Sequence, residues 1–316
     1  MEIRSYQLGD EKAILALFHL AFGKKMSEEY WNWRFANNPF SDELFIDLMW
    51  DGDKLVGHYA VSPVDMMING KAEKTALSMT TMTHPEYGGR GIFSQLAESL
   101  YRKLSVNNYK LVWGFPNNNS HYGFNKNLSW SDIALQGMMS LNTKNFSRLI
   151  NAEAKGRSIN TTEEIESNLI SQLNSSAKYI KINKTKEYLQ WRYFDNPTAD
   201  YKMIIPDDNR GIIIYKVISS FSDSTKSEID IMDMAFDNDM SVLINLLSSV
   251  YNSEQNILQF NLWDSLFSAN QIILEKAGFR VCPPVTYLGY RALSSPDQQI
   301  ADYRSWDISL SYSDVF

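Results

Sequence analysis

The chain has 316 residues, 44% hydrophobic and 21% charged, with a net charge of −7, the balance of a soluble globular protein with one large domain or two of about 150 residues. An acidic chain with no Lys/Arg run longer than two argues against a nucleic-acid partner, and no apolar stretch approaches the roughly 20 residues of a membrane helix. The single cysteine, Cys282, excludes an intramolecular disulfide and a cysteine-rich metal site, and reads as a buried filler. Met1-Glu2-Ile3-Arg4 lacks the basic-then-apolar opening of a signal peptide, so a cytoplasmic chain is expected.

In chain order, Asp10–Phe22 reads as a capped helix, with Asp10 as its N-cap. The segment YWNWRFANNP (30–39) follows, then strand-like runs at 44–50, 54–61 and 72–83. A turn, THPEYGGRGIF (83–93), opens a helix over Ile92–Leu104, and a strand follows at 110–115. PNNNSHYGFNKNLSW (116–130) reads as a second helix, and residues 145–160 as a connection. The order then repeats: a capped helix Thr162–Leu173, YLQWRYFDNP (188–197), strands at 202–205, 211–217 and 228–236, a helix at 241–250, a strand at 257–263 and a helix ending Glu275–Phe279. Tyr30, Trp33, Arg34, Asn38 and Pro39 recur as Tyr188, Trp191, Arg192, Asn196 and Pro197, offset by 158 residues. Two copies of an α/β unit are therefore expected, over 1–150 and 151–316. Because both copies keep the Trp-Arg pair, a structural role is expected for it.

The halves differ at one turn. Gly88, Gly89 and Gly91 fall within four residues and precede a helix, so backbone N–H groups and the positive helix end can face an anion, with Arg90 adding a cation. The second half has Phe236-Asp237-Asn238-Asp239-Met240 there, whose carboxylates would repel a pyrophosphate.

With the strand–glycine turn–helix followed by a strand and a helix ending Leu128-Ser129-Trp130, the chain resembles the GNAT acyltransferase superfamily. The resemblance implies two tandem units, each a mixed, mostly antiparallel sheet flanked by helices, with acyl-CoA (acetyl-CoA or 3-hydroxybutanoyl-CoA) as co-substrate and no metal. It implies that Thr81, Met82, Thr83, Gly88, Gly89, Arg90, Gly91, Ile92, Phe93, Asn117 and Ser120 bind the co-substrate, and that His58, Trp113 and Phe115 border the substrate. Gly88 stands where the family usually has Gln or Arg, and Phe93 where it has a small residue.

The family's chemistry is direct attack of an amine on a thioester, which needs an oxyanion donor, a proton acceptor and a proton donor to the leaving thiolate. Where many members carry a tyrosine in the second helix this chain has Asn125, and His121 and Tyr122 are the catalytic candidates in its place. A chain-terminal carboxylate serves as base in one branch, and this chain ends Asp314-Val315-Phe316. The WR-x-x-x-NP segments and the GRGIF loop resemble enzymes of surface-polysaccharide pathways. They imply a nucleotide-linked (dTDP-type) aminosugar as acceptor and leave a homodimer open. Other amines (an antibiotic, polyamine or peptide) and a non-catalytic acyl-CoA-binding protein are the alternatives.

Overall fold

The computed structural model describes residues 1–265, 267–295 and 297–313, the side chains of 284 and 285 lying outside that description. Strand β1 (Glu2–Ser5) leads to helix α1 (Glu11–Phe22), which ends on Gly23 at φ +68. Ser27 caps α2 (Glu28–Trp31) by accepting from the Tyr30 N–H, and the helix runs on as a π-helical turn over Asn32–Ala36. Then come β2 (Ile46–Asp51), β3 (Lys54–Ile68), β4 (Lys71–Thr83), α3 (Ile92–Val106), β5 (Leu111–Gly114), α4 (His121–Leu128) and β6 (Ser131–Asn142).

The remainder is α5 (Thr143–Phe146), β7 (Gly156–Ser158), α6 (Ser167–Leu173), β8 (Ile180–Ile182) and α7 (Lys186–Leu189) with a second π-helical turn over Gln190–Phe194. β9 (Tyr201–Pro206), β10 (Ile212–Ser219), β11 (Ser227–Ala235), α8 (Met240–Ser253), β12 (Ile257–Leu262), α9 (Ala269–Ala277), β13 (Arg280–Ala292) and α10 (Gln298–Ala301) complete it. The helix expected from Thr162 is divided: Thr161 and Glu164 form a capping box on a 3₁₀ turn, and α6 starts only at Ser167.

The chain divides into two compact units, Met1–Ala134 with Thr286–Ala301, and Leu135–Val285 with Asp302–Phe316. By its contacts the chain leaves the first unit inside β6 and returns to it inside β13. The first unit's sheet runs β1-β2-β3-β4-β5-β13. β4 and β5 are parallel, with Leu77 opposite Trp113, and β13 joins antiparallel, with Gly289 opposite Gly114. The second unit's sheet runs β6-β12-β11-β10-β9-β7, with β11 and β12 parallel. The fold is mixed α/β, each sheet mostly antiparallel and flanked by helices.

In the first unit α3 turns Ile92, Leu96, Leu100, Tyr101 and Leu104 onto one face of the sheet, against Val56, Tyr59, Val61, Val112 and Trp130. Gly57 permits this approach: a Cβ there would lie 2.3 Å from Ile92 Cγ2 and 2.9 Å from Leu96 Cδ1. The opposite face carries α1, through Ile14 and Leu17, with Leu48, Ala60, Met79 and Met82. Met79 and Met82 share a face although an odd spacing of three would separate them in a regular strand. A β-bulge accounts for this: the β3–β4 register shifts between His58 and Ala60, and Thr80 takes φ +50.

The two Trp-Arg segments are buried and braced within their own units. Arg34, 4% exposed, donates through Nε to Met79 Sδ (3.0 Å) and lies 5.6 Å over the Trp33 ring. Arg192, 3% exposed, donates to the Tyr201 hydroxyl (2.6 Å) and the Ser311 carbonyl (3.3 Å). The tail beyond 302, in which the sequence shows no motif, buries Trp306, Ile308, Leu310 and Tyr312 at alternate positions, and the Ile182 N–H donates to the Tyr312 hydroxyl (2.7 Å). Cys282 is only partly buried, with Sγ 3.2 Å from Ser140 Oγ.

Candidate functional site

β4 and β5 pair only from Thr75/Leu111 to Leu77/Trp113; beyond that point they part. Gly114 sits at the fork, where a Cβ would meet the Ser78 carbonyl at 3.3 Å. The bulge leaves Thr80 and Thr81 without register partners on β3, so backbone groups that a regular ladder would consume are left at the fork. His58 anchors the bulge. Its Nδ1–H donates to the Thr80 carbonyl (2.7 Å), while Nε2 is buried and finds no hydrogen-bond partner among the described residues. Burial lowers the His58 pKa to about 4, outweighing the backbone hydrogen bonds, so the ring is neutral.

The carboxyl ends of two neighbouring parallel strands, each leading into a helix, form the usual binding crevice of an α/β sheet. From β4 the chain enters a short turn capped by His84, whose Nδ1 accepts from the Glu86 N–H (3.2 Å). Glu86 pairs with Lys54 (2.8 Å), and the Tyr87 hydroxyl donates to Asp51 (2.9 Å), fixing the turn to the sheet. Gly89 and Gly91 then take φ +74 and +73, and Gly91 is the N-cap of α3 with no side chain capping the helix. The Gln95 N–H bonds the Gly91 carbonyl (3.1 Å), so the preceding N–H groups of Ile92, Phe93 and Ser94 have no acceptor within the helix. A Cβ at Gly89 would meet nothing within 4 Å, and Arg90 is exposed, its guanidinium 4.5 Å over the Tyr87 ring. This open, uncapped helix start fits a phosphate group.

The corresponding helix start in the second unit is occupied. Asp239 caps α8, accepting from the Ser241 N–H and hydroxyl (both 2.7 Å) and from Arg210 (2.6 Å), while Asp237 and Asn238 take positive φ without glycine.

From β5 the chain passes Phe115, half-buried and edge-on to Trp113 at 6.1 Å. Asn117 and Ser120 satisfy one another: the Asn117 carboxamide oxygen accepts from the N–H groups of Asn119 (3.0 Å) and Ser120 (3.1 Å), and the Asn117 N–H donates to Ser120 Oγ (3.2 Å). At the start of α4, His121 Nε2 lies 2.8 Å and 3.0 Å from the two Asp132 carboxylate oxygens. Asn125 joins them, its Nδ2 3.0 Å from the imidazole and 3.1 Å from Asp132 Oδ2. The ring also stacks on Tyr287, centroids 3.7 Å apart. Gly123 lies where a Cβ would touch Phe93 at 3.5 Å, and Phe93 packs edge-on to Phe124 (5.2 Å) and Tyr59 (6.2 Å). Phe93 thus joins the starts of α3 and α4.

The sequence-selected residues separate into groups. Gly88, Gly89, Arg90, Gly91 and the backbone of Ile92 and Phe93 gather at the helix start, with Thr81 and Thr83 half-exposed along the fork. Met82, Trp113 and His58 are buried, and the Trp113 indole N–H donates to Thr75 Oγ1 (3.0 Å). Tyr122 is 66% exposed, with Lys126 donating to its hydroxyl (2.5 Å). Asp132 and Tyr287 escape a sequence reading: one is an ordinary strand-start aspartate, and the other enters from a strand more than 150 residues away. Asp314-Val315-Phe316 lies outside the described residues. Among the described residues no group of three or more His, Cys, Asp or Glu could hold a metal, and no helix is long and apolar enough to cross a membrane.

A forked parallel pair, a bulge beside it and a glycine-rich helix start together form a crevice suited to an anion. Residues 2–131 match the model of the acetyltransferase (GNAT) domain family. No curated protein matches the chain significantly. Among solved structures, it is similar to a conserved protein of unknown function from Enterococcus faecalis V583, described as a probable N-acyltransferase, at TM-score 0.70 and 12% identity, covering 92% of this chain and 72% of that one. A GCN5-related N-acetyltransferase from Anabaena variabilis ATCC 29413 gives 0.69 at 13% identity, covering 93% and 73%. One from Kribbella flavida gives 0.66 at 12%, covering 92% and 72%. At these identities the likeness is one of fold.

Proposed function

We propose that the first unit transfers an acyl group, acetyl or 3-hydroxybutanoyl, from acyl-CoA to the amine of a nucleotide-linked aminodeoxysugar of the dTDP type, in the cytoplasm, as a step of surface-polysaccharide biosynthesis. The observation that carries the transferase reading is the α3 start: Gly91 is its N-cap, no side chain caps it, and it adjoins the fork of β4 and β5. The sugar acceptor rests on the sequence resemblance of the WR-x-x-x-NP and GRGIF segments. We also read the chain as a duplicated GNAT unit, 1–150 and 151–316. The matching π-helical turns at the two Trp-Arg segments support this, as does the exchange of an open glycine for a capping aspartate at the second helix start.

In this reading backbone N–H groups of residues 88–94 hold the pyrophosphate, Arg90 adds charge, and a free N–H at Thr81 to Thr83 polarises the thioester carbonyl. The amine nitrogen bonds to that carbonyl carbon, the C–S bond breaks, and the thiolate takes up a proton. With Nε2–H donating to Asp132, His121 presents its Nδ1 lone pair as the proton acceptor; no described residue partners that nitrogen. Asp132 holds the ring, Asn125 donates to the Asp132 carboxylate, and His58 supports the bulge.

Thiol release from acetyl-CoA and 3-hydroxybutanoyl-CoA, measured with dTDP-linked aminosugars and with simple amines, tests the proposal. Release with the aminosugar alone is the expected result. Release with other amines only would replace the acceptor, and no release with any amine would leave the transferase reading unsupported.

A further inference from the structure

The second unit has its own fork. β11 and β12 pair in parallel as far as Ile231/Leu262 and then part. Between them lies a cavity of about 470 Å³, lined by residues 231–238, 262–264 and 307–309 among others, within the span of about 300–1,000 Å³ usual for small-molecule sites. The tail closes one side: the Ile308 N–H donates to Ser265 Oγ (2.6 Å), setting Asp307 beside Asp264. Phe236 and Trp263 add apolar wall.

Its charge is unbalanced. Four carboxylates line it, Asp233, Asp237, Asp264 and Asp307, against two ammonium groups, Lys178 and Lys184. Lys184 is committed to Asp233 at 2.8 Å; both are buried, and Asp233 also accepts from the Tyr193 hydroxyl and Ser309 Oγ (2.7 Å). Lys178 donates to the Arg304 carbonyl (2.7 Å). The Asp264 carboxylate accepts from the Ser268 hydroxyl and the Ser265 backbone N–H, no hydrogen-bond donor reaches the Asp307 carboxylate among the described residues, and the Lys178 ammonium attracts both. Burial, reinforced by Asp307, pushes Asp264 up to about 7. At the neighbouring helix start the Asp239 carboxylate occupies the donors that a phosphate would use. With four carboxylates against two ammonium groups, the cavity disfavours an anion and keeps an excess of negative charge.

We propose that this cavity binds an organic amine, its ammonium held by Asp264 and Asp307 and its carbon skeleton lying along Phe236 and Trp263. The site is independent of acyl transfer in the first unit. Paired carboxylates that outnumber the ammonium groups of a partly desolvated cavity favour such a ligand by direct attraction and by relief of their mutual repulsion.

Calorimetric titration of 1,8-diaminooctane and of the uncharged 1,8-octanediol into the full chain tests this. Wild type is expected to bind the diamine and not the diol. Asp264→Asn and Asp307→Asn should each weaken binding at least about tenfold, the loss of one charge-assisted contact, and Gly91→Asp should bind as wild type. The diamine should also raise the melting temperature of wild type but not of the double carboxylate variant. The near-isosteric Asn changes relieve repulsion, so folding is expected, and each single variant serves if the double one fails. No binding by wild type, equal affinity for the diol, or unchanged affinity in the carboxylate variants would each overturn the proposal. Displacement of the diamine by acetyl-CoA in Gly91→Asp would overturn it in favour of a second CoA site.

Discussion

His121 Nε2 lies 2.8 Å from Asp132 Oδ1, while the same imidazole stacks on Tyr287 with ring centroids 3.7 Å apart. Two contacts thus define the ring: the carboxylate selects the tautomer and the phenol ring its plane. His121→Ala is expected to lower kcat on the order of 100-fold or more, the usual contribution of a positioned acid–base group. Asp132→Asn should lower kcat less, with acyl-CoA affinity unchanged, because it disturbs only orientation and tautomer. Tyr122→Phe should stay within about twofold, since that hydroxyl faces solvent and Lys126. Steady-state kinetics beside calorimetric acyl-CoA binding separates these effects; a large loss in Tyr122→Phe would move the chemistry to the other candidate.

The helix start at Gly91 allows charge to be tested apart from shape. The position has φ +73, and a Cβ there would meet only Gln95 Nε2 within 4 Å, at 3.5 Å, so it tolerates Asn or Asp better than most residues. Gly91→Asp should lose acetyl-CoA binding by about 100-fold or more through repulsion of the pyrophosphate, and Gly91→Asn should lose much less. Equal losses would assign the effect to shape and weaken the phosphate reading.

Lys184 and Asp233 form a buried pair within the second unit. Lys184→Met leaves Asp233 with only hydroxyl donors and is expected to destabilise that unit by about 3–5 kcal/mol, the effect of an uncompensated buried charge. Lys184→Met combined with Asp233→Asn should recover part of the loss. Denaturant unfolding monitored by tryptophan fluorescence reads both.

Two buried groups oppose one another in pH dependence. His58, lowered to about 4 by burial, contributes stability above its unfolded pKa near 6.5, lost as pH falls toward 4. Asp264, raised to about 7, has the reverse sign: its contribution is complete below its unfolded pKa near 3.9 and is lost as pH rises through 7. Wild-type stability should therefore vary little between pH 4.5 and 6.5 on account of this pair. Asp264→Asn should unmask a loss toward acid, and His58→Asn, which keeps a donor near Nδ1, a loss toward pH 7. Melting temperatures across that window decide it; parallel slopes in the two variants would contradict the assignments.

Much of the first unit is legible along the chain. The strands of the meander, the α3 pattern and the turn at 83–93 follow from local periodicity and glycine placement, which depend on neighbours a few residues away. The strand over 54–61 is legible as a strand, yet it continues to Ile68, because its later pairing with β4 depends on a partner rather than on local pattern. The bulge at Thr80 is not legible: threonine gives no local signal for φ +50, and the His58 contact that anchors it spans 22 residues.

By itself the sequence determined the order of elements, the recurrence of the Trp-Arg segments and the contrast between a glycine turn at 88–91 and an acidic one at 237–239. Each rests on local sterics, backbone freedom or charge. Tertiary structure alone decided that Asp132 and Tyr287 hold His121, that β13 completes the first sheet, and that a carboxylate-lined cavity opens where β11 and β12 part. Those features depend on which distant strands pair and where pairing stops, and chain separation leaves no trace of either in a local pattern.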